Sequence, residues 1–456
     1  MRRVVKVSRI RIIITIIVVV LTTLLTGCTG KEPNEIAYVV ALGIDSTDDD
    51  NYKITIQYAN TTQISGGASE SGGKAGSEIV DNVTIEAPNI YAGVGLANNI
   101  VSKSFSMSHA KLIVFSKEIA EKGVKDMIET LVRSEEIRPD VFIAVANTTA
   151  NDYLTSVNPE MEVNPAQYYQ LIYQKNQLVG IPDGQLREFF TGLYTDNYDS
   201  ILPVAGVIEG SGGNSQNDDK GQSKDGQNEG SEGSSESLDS FESKSSNEKD
   251  ENEKEKDAEK NTSKYEYDIK NYIGGETTIE KKNKAEAMGA AVFEKDKMVG
   301  ELGEVETEIC KMLKGDYTYS YLTYYNNDTP DIPITVKTTQ QKKPKYKIDT
   351  DKKTVDIELY IESDLYSLPA DYNVENKIED FERDVANYTS SACTEFINNF
   401  TKKYNSDILK LNEKVKYKFL TNNQYNWFKK NVGWSEYKFS VCTNFKVRRT
   451  GLIVRE

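Results

Sequence analysis

His109 is the single histidine of the chain, and Ser106 and Ser108 stand just before it, so a serine nucleophile beside a base can be imagined here. Acyl transfer by such a pair calls for the serine on a G-x-S-x-G strand-to-helix elbow, a spacing that does not occur around it. His109 precedes a strand and reads as a loop or strand-edge side chain. A zinc site draws on several cysteine, histidine or carboxylate ligands, whereas Cys310, Cys393 and Cys442 have neither C-x-x-C spacing nor a histidine nearby. They read as buried free thiols, because cysteine packs as a small hydrophobe. Gly72-Gly73-Lys74 sits in a Ser/Gly tract without P-loop spacing, and Gly93-Val94-Gly95 lacks the third glycine of a dinucleotide loop. Asp48-Asp49-Asp50 has none of the ligand spacing of a calcium loop and reads as a solvated turn. Tyr168-Tyr169 and Tyr324-Tyr325 could stack on sugars, but aromatic side chains more simply fill sheet faces. The expectation is a protein that is not an enzyme, with no cofactor and no metal.

Cys28 is different. Arg2, Arg3, Lys6, Arg9 and Arg11 precede an apolar run from Ile12 to Leu25, and the run exits through Leu25-Thr26-Gly27-Cys28. Basic cluster, short apolar core and small-residue exit form the order of a secretory signal. The run is short of the roughly 20 apolar residues of a permanent span. Its exit resembles the lipobox at which bacteria attach diacylglycerol to a cysteine sulfur and cleave before it. Lipidation at Cys28, a signal peptide over 1–27 and a chain facing outward are expected. Two acyl chains meet the requirement for stable anchoring.

The chain holds 55 basic and 71 acidic residues, a formal charge of −16. That balance argues against nucleic acid and against a polybasic grip on anionic lipid. About half of it lies in one tract. Residues 210–260 carry 15 acids and 7 lysines, a net −8, and Gly210 to Lys264 has almost no apolar side chain besides Leu238 and Phe241. Such a stretch cannot bury enough apolar area to order itself.

The elements around these features alternate between two periods. Ile36–Ile44 and Tyr52–Asn60 read as a β-hairpin, Ile79–Ala87 as a third strand, and Ile90–Lys103 as a helix. Strand Ala110–Phe115, helix Lys117–Ser134 and strand Val141–Ala146 imply a parallel pairing across a long crossover. The βα alternation is expected to fail after about residue 150. Ile201–Ile208 and the hairpin Ala287–Phe293 with Lys297–Gly300 flank the acidic tract, which therefore reads as an insertion within one domain. Strands at Ile334–Thr338, Lys345–Asp349 and Thr354–Glu362 are followed by a helix from Val374 to about Tyr404 and a strand Tyr437–Arg448. Ile378, Phe381, Val385, Cys393, Phe396 and Phe400 make that helix's apolar face and place Cys393 in the core. The fold class is α+β, in three mixed α/β domains: 28–195, 196–330 with the insertion at 210–264, and 331–456.

Three stretches carry a specific resemblance. Ala41-Leu42-Gly43-Ile44-Asp45, the segment 111–146 with Arg133-Ser134-Glu135-Glu136-Ile137-Arg138-Pro139, and 289–302 (Gly-Ala-Ala-Val-Phe-Glu-Lys-Asp-Lys-Met-Val-Gly-Glu-Leu) resemble the Ger(x)C lipoproteins of spore nutrient-germinant receptors. Asp407-Ile408, Trp427, Trp434 and Arg448-Arg449-Thr450-Gly451 follow in that family's order. The Trp-Asp that commonly follows the lipidated cysteine is replaced here by Thr29-Gly30. The resemblance implies a three-domain α+β C subunit, lipid-anchored on the outer face of the spore's inner membrane. It would work with multi-pass A and B subunits that together sense nutrients and trigger germination, as a scaffold or coupling subunit. A cell-wall-binding lipoprotein is the alternative, and a solute-binding lipoprotein the third reading.

Overall fold

The computed structural model describes residues 13–18, 35–49, 51–59, 80–158, 162, 164–174, 180–195, 197–208, 271–277, 283–325, 333–367, 377–404 and 406–450. Cys28, the Ser65–Ser77 tract and the acidic tract Gly210–Lys264 lie outside them. Among the described residues no helix is long and apolar enough to cross a membrane.

The fold is α+β, and its described strands form two sheets. Strands β1 (Ile36–Ser46), β2 (Tyr52–Ala59) and β3 (Val80–Ala87) make an antiparallel meander, followed by helix α1 (Ile90–Ala97) and the short strand β4 (Ser104–Ser106). Next come β5 (Leu112–Ser116), α2 (Lys117–Lys122), α3 (Lys125–Val132) and β6 (Phe142–Ala146). Three helices, α4 (Ala150–Ser156), α5 (Pro165–Gln174) and α6 (Leu186–Thr195), then lead to β7 (Ile201–Val207), and β8 (Ala285–Glu294) and β9 (Lys297–Leu302) form a hairpin. The sheet order is β3-β2-β1-β5-β6-β7-β8-β9, with β4 beside β1. The β1–β5, β5–β6 and β6–β7 pairs are parallel, as helical crossovers require.

One further parallel crossover, from β6 through three helices to β7, follows residue 150, and β7, β8 and β9 then pair antiparallel, so regular βα alternation ends there as the sequence suggested. The helices there are short and rich in tyrosine and polar residues, which blurs their period. The boundary expected at 195/196 falls between α6 and β7, inside this sheet. β7 and β8 pair antiparallel on either side of the acidic tract, so the tract is inserted between two neighbouring strands.

After α7 (Glu304–Lys314), strands β10 (Tyr319–Tyr325), β11 (Pro333–Thr339), β12 (Lys345–Asp349), β13 (Thr354–Ser367) and β14 (Lys438–Arg449) build the second sheet. Between β13 and β14 lie the long helix α8 (Ile378–Lys403), α9 (Leu411–Val415) and α10 (Asn422–Asn431). β14 runs parallel to β13, and its outer edge is closed by side chains of α8. The amides of Phe439, Val441, Thr443 and Val447 donate to Asn398 Oδ1, Thr394 Oγ1, Ser390 Oγ and Glu382 Oε1. A polar stripe on the helix so replaces the missing neighbour strand and removes an exposed edge.

Two expected helices are shorter. The one beginning at Ile90 ends at Ala97, where Asn98 Oδ1 accepts the Phe105 amide at 2.8 Å and turns the chain into β4. The one beginning at Lys117 breaks at Gly123 (φ 124°), and the next amide, Val124, donates to the Asp296 carbonyl of the β8–β9 turn at 3.0 Å. Cys310 and Cys393 are buried, and burial pushes their thiols up to about 11 and about 12. Cys442 is exposed rather than buried, because it falls on the outward phase of β14 between Val441 and Thr443.

Candidate functional site

Strand β8 has no solvent face over its central residues. Ala291 and Phe293 pack into the core of the first sheet with Phe189 and Leu202. Ala290 and Val292 point the other way, into a core formed with Cys310, Cys393 and Phe396. Strand alternation puts Ala291 and Phe293 on one face and Val292 and Glu294 on the other, and up to Phe293 both faces are interior. Phe293 meets Phe189 edge to face with centroids 5.0 Å apart. Its carbonyl accepts the Ser406 hydroxyl at 2.9 Å.

The turn beyond β8 is held by two aspartates. Asp199 Oδ1 accepts the Lys295 amide and its Oδ2 the Asp407 amide, both at 2.8 Å. Asp407 Oδ1 and Oδ2 accept the Leu411 and Asn412 amides at 2.8 and 2.9 Å. All four carboxylate oxygens are therefore occupied by backbone donors. Lys295, in the left-handed region at φ 59°, takes the backbone shape that this turn needs. Burial pushes the Asp407 carboxyl up to about 7 against the pull of its two amides, and raises Asp199 in the same way. Around them Lys410 pairs with Glu188 at 3.1 Å and lies 4.1 Å over the Tyr198 ring, and Lys429 donates to the Thr195 carbonyl and Asn197 Oδ1. A polar cleft of about 540 Å³ opens here, lined by Asp199, Lys295, Asp407, Lys429, Lys430 and Trp434 among others. The arrangement locks a turn from the first sheet onto the α8–α9 connection.

The other singled-out residues do similar work. Asp45 closes the Ala41–Asp45 motif by accepting the Ala150 and Asn151 amides at the start of α4, at 2.6 and 3.0 Å. Gly43 lies so close to α4 that an added Cβ would meet Leu154 and Ala150 at 3.0 and 3.1 Å. In the 133–139 motif Ser134 Oγ accepts two amides, Glu136 accepts that of Met107 at 2.7 Å, and Ile137 is buried. Tyr168, Tyr169 and Tyr324 are buried, so these three supply core and not a sugar-stacking surface. The side chain of Tyr325 lies outside the described residues. His109 is exposed, edge-on to Tyr38, with Nδ1 at 3.0 Å from its neighbour Ser108. Asp48 and Asp49 are exposed. Among the described residues no cluster of three or more potential ligands could hold a metal. Trp434 is buried against Tyr437, whereas Trp427 is exposed, and Arg448 pairs with Glu362 at 3.1 Å. Sequence reasoning missed Asp199 and Ser406. The polar run Asp196-Asn197-Tyr198-Asp199-Ser200 ahead of β7 signals only a turn, and its partner lies more than two hundred residues away.

The chain matches two family descriptions: "spore germination protein N-terminal domain" over residues 30–207, and "spore germination B3/GerAC like, C-terminal" over residues 288–451. It is similar to spore germination protein KC of Bacillus subtilis, 26% identical over 174 residues that cover 35% of this chain and 42% of that protein. The putative spore germination protein YfkR of the same organism is 28% identical over 32% of this chain and 37% of its own length. Spore germination protein GerQC of Bacillus cereus is 27% identical over 23% and 29%. The chain thus spans about two-fifths or less of the length of these curated relatives. The crystal structure of the GerBC protein aligns with 89% of this chain and 96% of its own at a TM-score of 0.47 and 15% identity.

Proposed function

We propose, for a chain that belongs to the Ger(x)C family of spore germination proteins, that it serves as the C subunit of a nutrient germinant receptor. In this reading diacylglycerol on Cys28 holds it to the outer face of the spore's inner membrane. It acts there as a scaffold or coupling subunit beside multi-pass A and B subunits, and it is not an enzyme. The observation that carries the reading is the use made of the family-like motifs and of Asp199, which joins two of them. Asp45, Asp199 and Asp407 each spend both carboxylate oxygens on backbone amides, and the 289–302 hairpin fills two cores. Residues committed in this way support shape, and shape is what a coupling subunit contributes. Burial of Tyr168, Tyr169 and Tyr324 takes these three side chains away from wall binding.

The test is Cys28→Ala in sporulating cells. Labelled fatty acid should no longer enter the protein, the protein should leave the spore membrane fraction, and nutrient germination should fail. Labelling that persists in the variant, or full germination without it, sinks the anchoring role. Purification from wild-type spore membranes should bring down multi-pass subunits, and recovery of the chain alone would count against the receptor assignment.

A further inference from the structure

The chain's charge of −16, which argues against a polybasic grip on lipid, is unevenly spread. From Lys414 to Ser435 there are five lysines and no acidic residue. This stretch holds the end of α9, a 3-10 turn at Lys416–Lys418 and α10. Its inner side is anchored: Val415, Tyr425 and Trp434 are buried, and Phe419 stacks on Phe428 with centroids 4.9 Å apart. Its outer side is apolar where it has no reason to be. Tyr417 is 78% exposed, Leu420 94% and Trp427 69%. Leu420 and Trp427 share a shallow depression with Lys418, Phe419, Asn423 and Gln424. Lys418 lines it, Lys416 precedes Lys418 in the same 3-10 turn, and Lys429 and Lys430 lie at the far end of α10, where both line the cleft beside Asp199 and Asp407. Lys418 reaches the Ile348 carbonyl with Asp349 near it and is fixed at the rim, whereas Lys429 is tied to Thr195 and Asn197 on the side of the cleft.

We propose that this face rests on an anionic phospholipid bilayer, with Leu420 and Trp427 entering the boundary between headgroups and acyl chains and the lysines meeting lipid phosphates. Tryptophan and tyrosine settle at that depth because each joins an apolar ring to a polar tip. A short segment with an apolar face and a lysine-rich rim binds by the sum of buried area and attraction to anionic lipid. A protein partner is the weaker occupant, since lysine is depleted in protein–protein interfaces. The proposal goes beyond the receptor assignment and does not need lipid on Cys28. The Cys28→Ala labelling test and the test below can fail independently.

Trp427 and Trp434 are the only two tryptophans, one exposed and one buried, so fluorescence reports on this face directly. The full chain is mixed with vesicles of phosphatidylcholine and phosphatidylglycerol, with and without brominated acyl chains. Emission should shift to shorter wavelength, and brominated lipid should quench most of the exposed tryptophan's share. Trp427→Phe should lose both responses while keeping its melting temperature. Lys416→Glu with Lys430→Glu should weaken them, and added salt should do the same to the wild type. If the chain floats with the vesicles while Trp427 emission stays unmoved and open to acrylamide, the proposal is overturned. That outcome is also the one expected of a seat for a protein segment. Equal responses on pure phosphatidylcholine would overturn the anionic part.

Discussion

Replacing Phe293 by Ala should cost about 3–5 kcal/mol of stability, the range for truncating a fully buried phenylalanine. The side chain has no exposed surface, and its ring stands edge-on to Phe189 at an interplanar angle of 88°. That geometry adds about 0.5–1.5 kcal/mol beyond area burial, which a double-mutant cycle with Phe189→Ala should return as coupling. The backbone bonds of Phe293 to Ser200 and Ser406 do not involve the ring, so the loss should be a cavity effect. Collapse is hindered because β8 is held between two cores and cannot move toward one without leaving the other. Against a total of about 5–15 kcal/mol, such a loss removes a fifth or more of the protein's stability.

Denaturant unfolding of the purified chain measures it, with Lys297→Ala as the control. That lysine is exposed at the turn, where a change should stay within about 0.5 kcal/mol. A loss under about 1 kcal/mol for Phe293→Ala would refute the packing argument. Germination separates the structural role from docking: a Phe293→Ala protein that is stable in spores yet does not support germination would mean that the 289–302 hairpin is a contact surface.

Gly300→Ala should cost about 1–3 kcal/mol, because its Cβ would fall within the Tyr404 ring; a variant as stable as wild type would show that Tyr404 swings away freely. Asp407 gives a pH signature. Its folded value near 7 lies above the unfolded value of about 3.9, so its ionisation opposes folding. This penalty is absent below about pH 4 and complete above about pH 7. Relative to Asp407→Asn, the wild type should therefore lose stability as pH rises across that window, by at most about 1.4 kcal/mol per unit, and parallel curves would refute it. Deleting Gly210 to Lys264 with a short turn between β7 and β8 should shift the melting temperature by no more than a few degrees, since the tract offers almost no apolar area to bury. A larger drop in calorimetry would mean that it packs.

How much of this was legible depends on whether the deciding contact was local. The β1–β2 hairpin, the parallel β5–β6 pair and the strands around the insertion were readable because alternation and turn chemistry lie within a few residues. Cys393 was correctly placed in the core from the period of α8 alone. The opposite face of that same helix was not readable. Ser390, Thr394 and Asn398 look like ordinary solvent-facing residues until β14, some fifty residues on, brings amides to them. Likewise nothing near Gly123 says that the helix stops to receive the β8–β9 turn. β4 has three residues and no period at all.

The candidate site shows the same limit in a sharper form. The 289–302 motif and Asp407 were both noticed, yet as separate features of separate domains. Their connection is Asp199, an aspartate in a turn, which binds Lys295 of the motif with one oxygen and Asp407 with the other. Those bonds join the end of the first sheet to the start of α9, beside the shared core of Ala290, Val292 and Phe396 and the Lys410–Glu188 pair. Buried polar groups that are fully satisfied rigidify the elements they join. The acidic insertion enters the fold at β7 and β8, the strand pair that carries the joint.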